Sequence, residues 1–467
     1  MAEQNDDVAG SGYGNVYIDS LIWGCGWSGD TIYVAFGTGL NSYNYIGYEW
    51  THEEITAFNR AFDAYEAVCN ISFTVVNDLD AADMLLWTVD SDDIGATTLG
   101  MFDVPDEAYP QTDGMFNWEY EGWQYLRAGG DGFQTIIHEL GHGLGLAHPH
   151  DGGGESDATL FPGVTDSEDT GTYDLNQGIW TTMSYITDWT TGQPATGLDH
   201  GHAATPMALD IAALQALYGV NTSYRTGADT YFLPERNVEG TGWTCIWDAG
   251  GTDTISAIRA SRESVIDLRD APLVGPDAGG YVSWSVGIRG GFTIAANAVI
   301  ENAVGSDFAD LIAGNEARNS LRGRGGDDEF YGFKGNDRII GGKGNDWING
   351  GTGRDDLTGG DGVDRFIFNA AIRSGNVDVI QDFDTANDRI WLSRDVFGNL
   401  PKGVLRESAF DANATGRASD ESDRIIYDET SGRLYFDRDG TGDAQARLFA
   451  ELDRGLDLRH SDFLLVF

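Results

Sequence analysis

The sequence predicts an α+β domain followed by an all-β domain wound as a parallel roll. Three observations carry that expectation. Up to Gly219, short β-branched runs alternate with amphipathic helical patterns. From Asn221 the composition turns β-type and rich in Gly and Asp. Between Gly323 and Asp364 that richness becomes a nine-residue period, the mark of a repeat architecture. The expected divisions are 1–17, a flexible start, then 18–220, 221–370 and a β-rich end over 371–467.

Charge narrows the field. Lys and Arg number 28 against 75 Asp and Glu, a net charge of −47 over 467 residues. Nucleic acid and anionic membrane surfaces are therefore poor partners, and no nucleic acid is expected among them. An excess of carboxylates suits hard cations or solubility in salt. Hydrophobic content of 41% affords a sizeable core. No run of 18 apolar residues is present, so no membrane insertion is expected. Met1–Gly10 has no apolar signal region, so either the protein stays inside or another signal exports it. Cys25, Cys69 and Cys245 match no zinc or redox spacing. A Cys25–Cys69 disulfide and three buried apolar fillers are both open.

The ordered part begins at Ile18–Gly24. Thr31–Phe36 alternates and reads as a strand. Trp50–Val68 places Ile55, Phe58, Phe62, Tyr65 and Val68 on one helical face, with Thr51 as its cap and Glu53 and Glu54 in its first turn. Strands follow at 71–76, 84–88 and 113–120. The next helix, 131–144, carries His138 and His142 one turn apart on one face. Both imidazoles can then reach one ion at roughly 2.0–2.1 Å, the zinc–nitrogen distance. Glu139 points about 100° away, toward a water rather than the ion. A straight helix would carry His148 roughly 9 Å onward. Gly145 can take φ > 0, end the helix and return His148 to the ion. An acidic, Gly-rich loop follows over 151–177, and an apolar helix over 206–219 ends at Gly.

The nine-residue units have the form G-G-x-G-x-D-x-U-x. Their glycines are Gly323, Gly325 and Gly326; Gly332 and Gly335; Gly341, Gly342 and Gly344; Gly350, Gly351 and Gly353; Gly359, Gly360 and Gly362. Their sixth residues are Asp328, Asp337, Asp346, Asp355 and Asp364, and their eighth Phe330, Ile339, Ile348, Leu357 and Phe366. Glycine permits the tight turn and bares its carbonyls, aspartate supplies carboxylate oxygens, and calcium prefers such ligands. Two units then make one coil, with Ca2+ between stacked turns and the apolar eighth residue inward. Degenerate units at Gly305 and Gly314 cap the array. This module is expected to require calcium to fold.

The complete H-E-x-x-H-x-x-G-x-x-H, with Pro149 after the third histidine, resembles the serralysin family of metzincins. Met183-Ser184-Tyr185 stands 35 residues beyond His148, where that family has its Met-turn. The resemblance runs from about Ile18 to the C-terminus. It implies a zincin-like catalytic domain, and Zn2+ on His138, His142 and His148 with Glu139 as the catalytic base. It also implies Met183 as the apolar floor, and Tyr185 as a catalytic residue that is also a candidate zinc ligand in the resting site. It makes 113–120 an edge strand that pairs with extended peptide substrates. Arg225, Gly227 and Asp229 resemble one calcium segment, with one extra residue that leaves Asp229 against Thr230 open. Asp248, Gly250, Gly251 and Asp253 resemble another, and Val299 and Glu301 a segment that completes such a site. The terminal run Ser461–Phe467 resembles a type I secretion signal. The implied protein is a secreted, extracellular, monomeric zinc endopeptidase, exported by type I machinery and open to a proteinaceous inhibitor. Residues 1–17 would then be the remnant of a propeptide. The rival is a calcium-dependent binding or adhesion protein with an inactive protease domain.

Overall fold

The computed structural model describes residues 2–5, 8–152, 158–190, 192–195, 197–398 and 400–466. Part of the acidic loop (153–157), residues 1, 6 and 7 of the expected flexible start, and Phe467 of the terminal run lie outside the described residues. The chain forms two compact units. One comprises Met1–Thr226, Arg236–Gly251 and Asp270–Ala298; the other Gly227–Glu235, Thr252–Arg269 and Val299–Phe467.

The first unit is α+β. Its main sheet contains β1 (Thr31–Phe36), β2 (Ser72–Val75), β3 (Met84–Val89), β4 (Gly100–Phe102) and β5 (Thr112–Asn117), in the order β2-β1-β3-β5-β4. All neighbours are parallel except β4, which runs antiparallel to β5. This corrects the expected edge. β5 is internal, and the free edge belongs to β4. Every residue of β5 is buried, as a strand covered on both faces requires. β4 is only Gly-Met-Phe, too short to read as a strand from its own pattern.

Helix α1 (His52–Val68) opens with a reciprocal cap: Glu54 N donates to Thr51 Oγ1 at 3.2 Å, and Thr51 N to Glu54 Oε2 at 2.7 Å. Helices α2 (Asp131–Gly143) and α3 (Ala208–Tyr218) complete the layer. Residues 4–5, expected to be flexible, pair antiparallel with Gly26–Trp27. Cys25, Cys69 and Cys245 are buried thiols outside any disulfide, so the candidate Cys25–Cys69 bridge is not formed.

The second unit is all-β, with two parallel ladders stepping by 18 residues. In one, β6 (Ser320–Gly325), β8 (Arg338–Lys343) and β10 (Asp356–Asp361) align Leu321, Ile339 and Leu357. In the other, β7 (Glu329–Tyr331), β9 (Trp347–Asn349) and β11 (Arg365–Phe368) align Phe330, Ile348 and Phe366. All six of these side chains are at most 1% exposed, so two columns of apolar residues form the core. The turns need left-handed backbone at the second and fourth positions of each unit. Gly342 (φ +120°) and Gly344 (φ +130°) supply it. Arg324 (φ +88°) and Phe333 (φ +66°) hold the second position without glycine.

The ladders continue past residue 370. Asp378–Ile380 extends the first and Arg389–Ser393 the second. The terminal run Phe463–Val466 then pairs parallel to Arg389–Ser393, with Phe463 and Leu465 in the core.

Candidate metal centre and active site

The metal helix is held by side chains from its middle to its C-terminal end. All thirteen residues of α2 are buried, and its late carbonyls meet side-chain donors. Tyr65 Oη donates to Ile137 O at 2.5 Å, Trp27 Nε1 to Gly143 O at 2.8 Å and Tyr218 Oη to Leu144 O at 2.6 Å. The last two satisfy carbonyls that a helix end otherwise leaves open, while the Tyr65 hydroxyl adds a donor to a carbonyl within the helix. Gly145 then takes φ +90°, and a Cβ there would lie 2.3 Å from Cys25 O. The turn is thus closed to any other residue, and it returns the chain so that His148 faces His138 and His142.

The three imidazoles meet through their Nε2 atoms. His148 Nε2 lies 3.2 Å from His138 Nε2 and 2.9 Å from His142 Nε2. Each Nδ1 has an acceptor: Thr182 O for His138 at 2.8 Å, Leu146 O for His142 at 2.9 Å, and Asp151 Oδ2 for His148 at 3.0 Å. Carbonyl and carboxylate oxygens only accept, so Nδ1 carries the proton and Nε2 presents its lone pair. Three lone pairs facing one another repel unless a cation sits among them. Tetrahedral zinc at about 2.0–2.1 Å would space its nitrogens about 3.3–3.4 Å apart, close to what is seen. The set therefore fits a transition metal that favours imidazole. Burial pushes His138 down to about 3, with His148 adding to the effect, and His142 well below its ordinary range, so both are held neutral.

Glu139 lies beside this centre, 7% exposed, and burial pushes its carboxyl up to about 8. Edge strand β4 passes directly over it. A Cβ on Gly100 would come within 2.8 Å of Glu139 Cγ. Met183 is fully buried beneath the helix, and its Sδ would lie 2.7 Å from a Cβ on Gly141. Tyr185 is 53% exposed. Its ring stands edge-on to His148 at 4.6 Å and to His150 at 4.8 Å between centroids. A cleft of about 800 Å³ opens here, walled by Trp23, β4 with its flanking residues, the three histidines, Glu168 and Tyr185.

Two supporting carboxylates were given no role from sequence, although Asp210 matches a position of the family segment. Asp151 was legible only as the start of an acidic loop, yet it accepts from both the backbone N and Nδ1 of His148. Asp210, in the first turn of α3, is fully buried. It accepts from Thr181 Oγ1 (2.6 Å), Thr182 N (2.7 Å), Thr182 Oγ1 (2.9 Å) and Met207 N (2.8 Å). Thr182 in turn offers its carbonyl to His138. Asp210 thus fixes the turn that orients a metal-facing imidazole. Its signal was an acid at a capping position of an apolar helix. Asp210→Ala should weaken zinc retention about 10–100-fold, measured by competition with a chromophoric chelator.

His202, given no role from sequence, lies at the base of α2. Its Nδ1 is 3.4 Å from Asp188 Oδ1, and its Nε2 3.2 Å from Gly197 O. Burial works to lower its pKa, but the Asp188 and Asp131 carboxylates outweigh it, and the net shift is upward from 6.5. A raised folded value means the stabilisation is complete below about pH 6.5 and is lost as pH rises through the folded pKa. In His202→Gln, the fall in Tm between roughly pH 6 and 8 should flatten, read by thermal scans at fixed calcium.

The repeat aspartates are placed alike. Asp328, Asp346 and Asp364 form one series at 18-residue spacing. Asp346 Oδ1 accepts from Asp328 N, and Asp364 Oδ1 from Asp346 N, both at 2.9 Å. Asp337 and Asp355 form the other, where Asp355 Oδ1 accepts from Asp337 N at 2.9 Å. The Oδ2 atoms of Asp328, Asp337, Asp346 and Asp364 are buried without a hydrogen-bond partner among the described residues. Each points at the first glycine of its unit. A Cβ on Gly323, Gly332, Gly341 or Gly359 would come within 1.9–2.7 Å of it. One oxygen is therefore fixed by the ladder and the other is bare in a cradle, a donor set that fits a hard cation.

The earlier calcium segments divide between the units. In the second, Asp229 N donates to Asp253 Oδ1 at 2.7 Å, and Asp253 N to Glu301 Oε2 at 2.8 Å. Val299, two residues before Glu301, is 43% exposed, and Gly227 has open space around it. In the first, Asp248 Oδ1 accepts from Gly250 N at 3.0 Å, and Gly250 and Gly251 take left-handed φ of +136° and +149°. Arg225 sits over the Tyr224 ring at 5.6 Å.

Comparison with known proteins agrees with this architecture. The family described as Peptidase M10 serralysin C terminal matches residues 208–445, and the Matrixin family matches residues 42–177. The chain is 32% identical over 300 residues to Serralysin of Proteus mirabilis, covering 59% of this chain and 56% of that protein. It is 35% identical over 201 residues to Metallopeptidase AprA of Pseudomonas marginalis, covering 41% and 39%. Serralysin C of Dickeya chrysanthemi is 36% identical over 192 residues, covering 39% and 36%. The matches thus span between 36% and 56% of the length of these relatives. One family match covers half of the sequence, another lies across the three-histidine centre, and both units have the expected fold: the chain belongs to the serralysin family.

Proposed function

We propose that the protein is a secreted zinc endopeptidase stabilised by a calcium-loaded β-roll. The observation that carries this is the convergence of three Nε2 lone pairs under an open cleft, with Glu139 beside them. His138, His142 and His148 would hold zinc. When bound, zinc lowers the pKa of a water and polarises a carbonyl. The chain's own groups do the rest. The exposed N–H and C=O groups of β4 pair with an extended substrate and set its register. Glu139, under Gly100, takes a proton from the attacking water and passes it to the leaving amine. The Tyr185 hydroxyl donates to the oxyanion developing on the substrate. Met183 packs under the helix and keeps the imidazoles from sinking.

The boundaries near 18, 220 and 370 and export by type I machinery belong to this reading. So do calcium ligands at the repeat units and around Asp229, Asp248, Asp253 and Glu301. Family membership supports the export and the calcium ligands. The test is casein hydrolysis by calcium-loaded protein, with a zinc-selective chelator and then zinc added back. Activity lost and then restored is expected. A folded, zinc-bound protein without activity would return the adhesion reading.

A further inference from the structure

The cleft is charged with one sign only. Its lining contains the carboxylates of Asp103, Glu139, Asp151 and Glu168 and neither Lys nor Arg. Three of the four are committed. Asp103 accepts from Tyr43 Oη at 2.8 Å, Asp151 holds His148, and Glu139 faces the reaction centre. Glu168 is exposed, and its carboxylate has no hydrogen bond or ion pair among the described residues. Its backbone, by contrast, is fixed. Glu168 N donates to Asp166 Oδ1 at 3.1 Å, while Asp169 Oδ2 accepts from Thr165 N at 2.9 Å, Thr165 Oγ1 at 2.7 Å and Asp166 N at 3.1 Å. With the loop backbone already ordered, a partner has only the Glu168 side-chain rotamers left to fix. The same lining also carries the apolar side chains of Trp23, Leu99, Met101 and Phe102.

We propose that Glu168 makes the cleft selective for substrates carrying a lysine or arginine side chain, an inference that rests on the endopeptidase reading above. Such a side chain has the two halves the cleft offers places for. Its aliphatic stem lies along the apolar wall. Its cationic head forms a charge-assisted hydrogen bond with Glu168. The net charge of −47 acts in the same direction, since it draws cationic peptides to the surface and repels acidic ones.

The experiment compares two quenched-fluorescent peptides that differ only in one residue, Lys against its neutral isostere norleucine, in the zinc- and calcium-loaded protein. Wild type should favour the Lys peptide by roughly 10-fold in kcat/KM, through KM rather than kcat, because a contact made alike in ground and transition states moves KM alone. Raising the salt should shrink the preference. In Glu168→Gln the ratio should fall toward one, and in Glu168→Lys it should invert. An unchanged ratio in Glu168→Gln, or no preference in wild type, overturns the proposal while hydrolysis of the neutral peptide leaves the endopeptidase reading standing. If neither peptide is cut, that reading fails. The proposal is then decided by fluorescence-anisotropy binding of the same two peptides to wild type and Glu168→Gln, where equal affinities overturn it.

Discussion

Glu139→Gln is expected to keep its zinc and lose its peptidase activity, by about 10²–10⁴-fold in kcat. The two halves of that outcome come from different parts of the structure. Metal retention depends on the three Nε2 atoms, and these are set by Thr182 O, Leu146 O and Asp151, none of which is hydrogen-bonded to Glu139 among the described residues. The amide of glutamine fills the same space under Gly100, where the clearance for a single added carbon is already below contact distance. Packing is therefore preserved while the proton acceptor is lost. Zinc stoichiometry by atomic emission and casein turnover on the same preparation separate the two effects. Near-wild-type turnover would remove Glu139 from the chemistry. Lost zinc would mean that the carboxylate supports the metal site rather than the reaction. Tyr185→Phe should cost less, because an exposed hydroxyl contributes one hydrogen bond to a developing charge, and that loss is smaller than the loss of the base.

What the sequence made legible was local. His138, Glu139, His142, Gly145 and His148 lie within eleven residues, so helical geometry and one left-handed glycine sufficed to bring them together. The roll was legible for a related reason: an 18-residue coil repeats itself, and each unit declares its turn, its carboxylate and its inward side chain. Features that depend on distant pairing stayed hidden. Nothing in Gly-Met-Phe announces that β4 covers the far side of β5 and takes over the free edge. Asp210 lies 28 residues from Thr182, and its role exists only because α3 packs beneath the turn at Met183. Arg324 and Phe333 occupy left-handed positions that their residue types would argue against; only the register of the neighbouring coils reveals them.

Calcium removal should unfold the roll at neutral to alkaline pH, and acid should partly substitute for the ion. The bare Oδ2 atoms explain the first effect. In the coiled state each repeat aspartate surrenders water, and one of its oxygens receives nothing from the protein in return. The direction of titration explains the second. Burial, with like-charged neighbours adding to it, pushes Asp328 and Asp337 up to about 8 and Asp346 up to about 7, from an ordinary 3.8. Folded values above unfolded ones mean that the folded roll holds more protons through this range. Stability without metal is therefore greatest near pH 4 and falls as pH rises toward 8. Bound calcium would supply the positive charge that the protons supply in acid. A site filled to 100 times its Kd contributes about 2.7 kcal/mol, and total stability is only about 5–15 kcal/mol, so a few sites decide whether the module folds. Far-UV circular dichroism in chelator should show the β signal lost at pH 8, retained in larger part at pH 5, and restored at pH 8 by millimolar calcium but not by magnesium, which demands a smaller, near-ideal octahedral shell and gives up its water reluctantly. A spectrum in chelator at pH 8 identical to that in calcium would show that the cradles are filled by the chain alone and that the bare oxygens carry no cost. Asp346→Asn offers an independent check, because it keeps the bond to Asp328 N and removes one buried charge. It should make the metal-free roll more stable at pH 8 and the calcium-loaded roll less so, a reversal of sign that a purely structural aspartate would not produce.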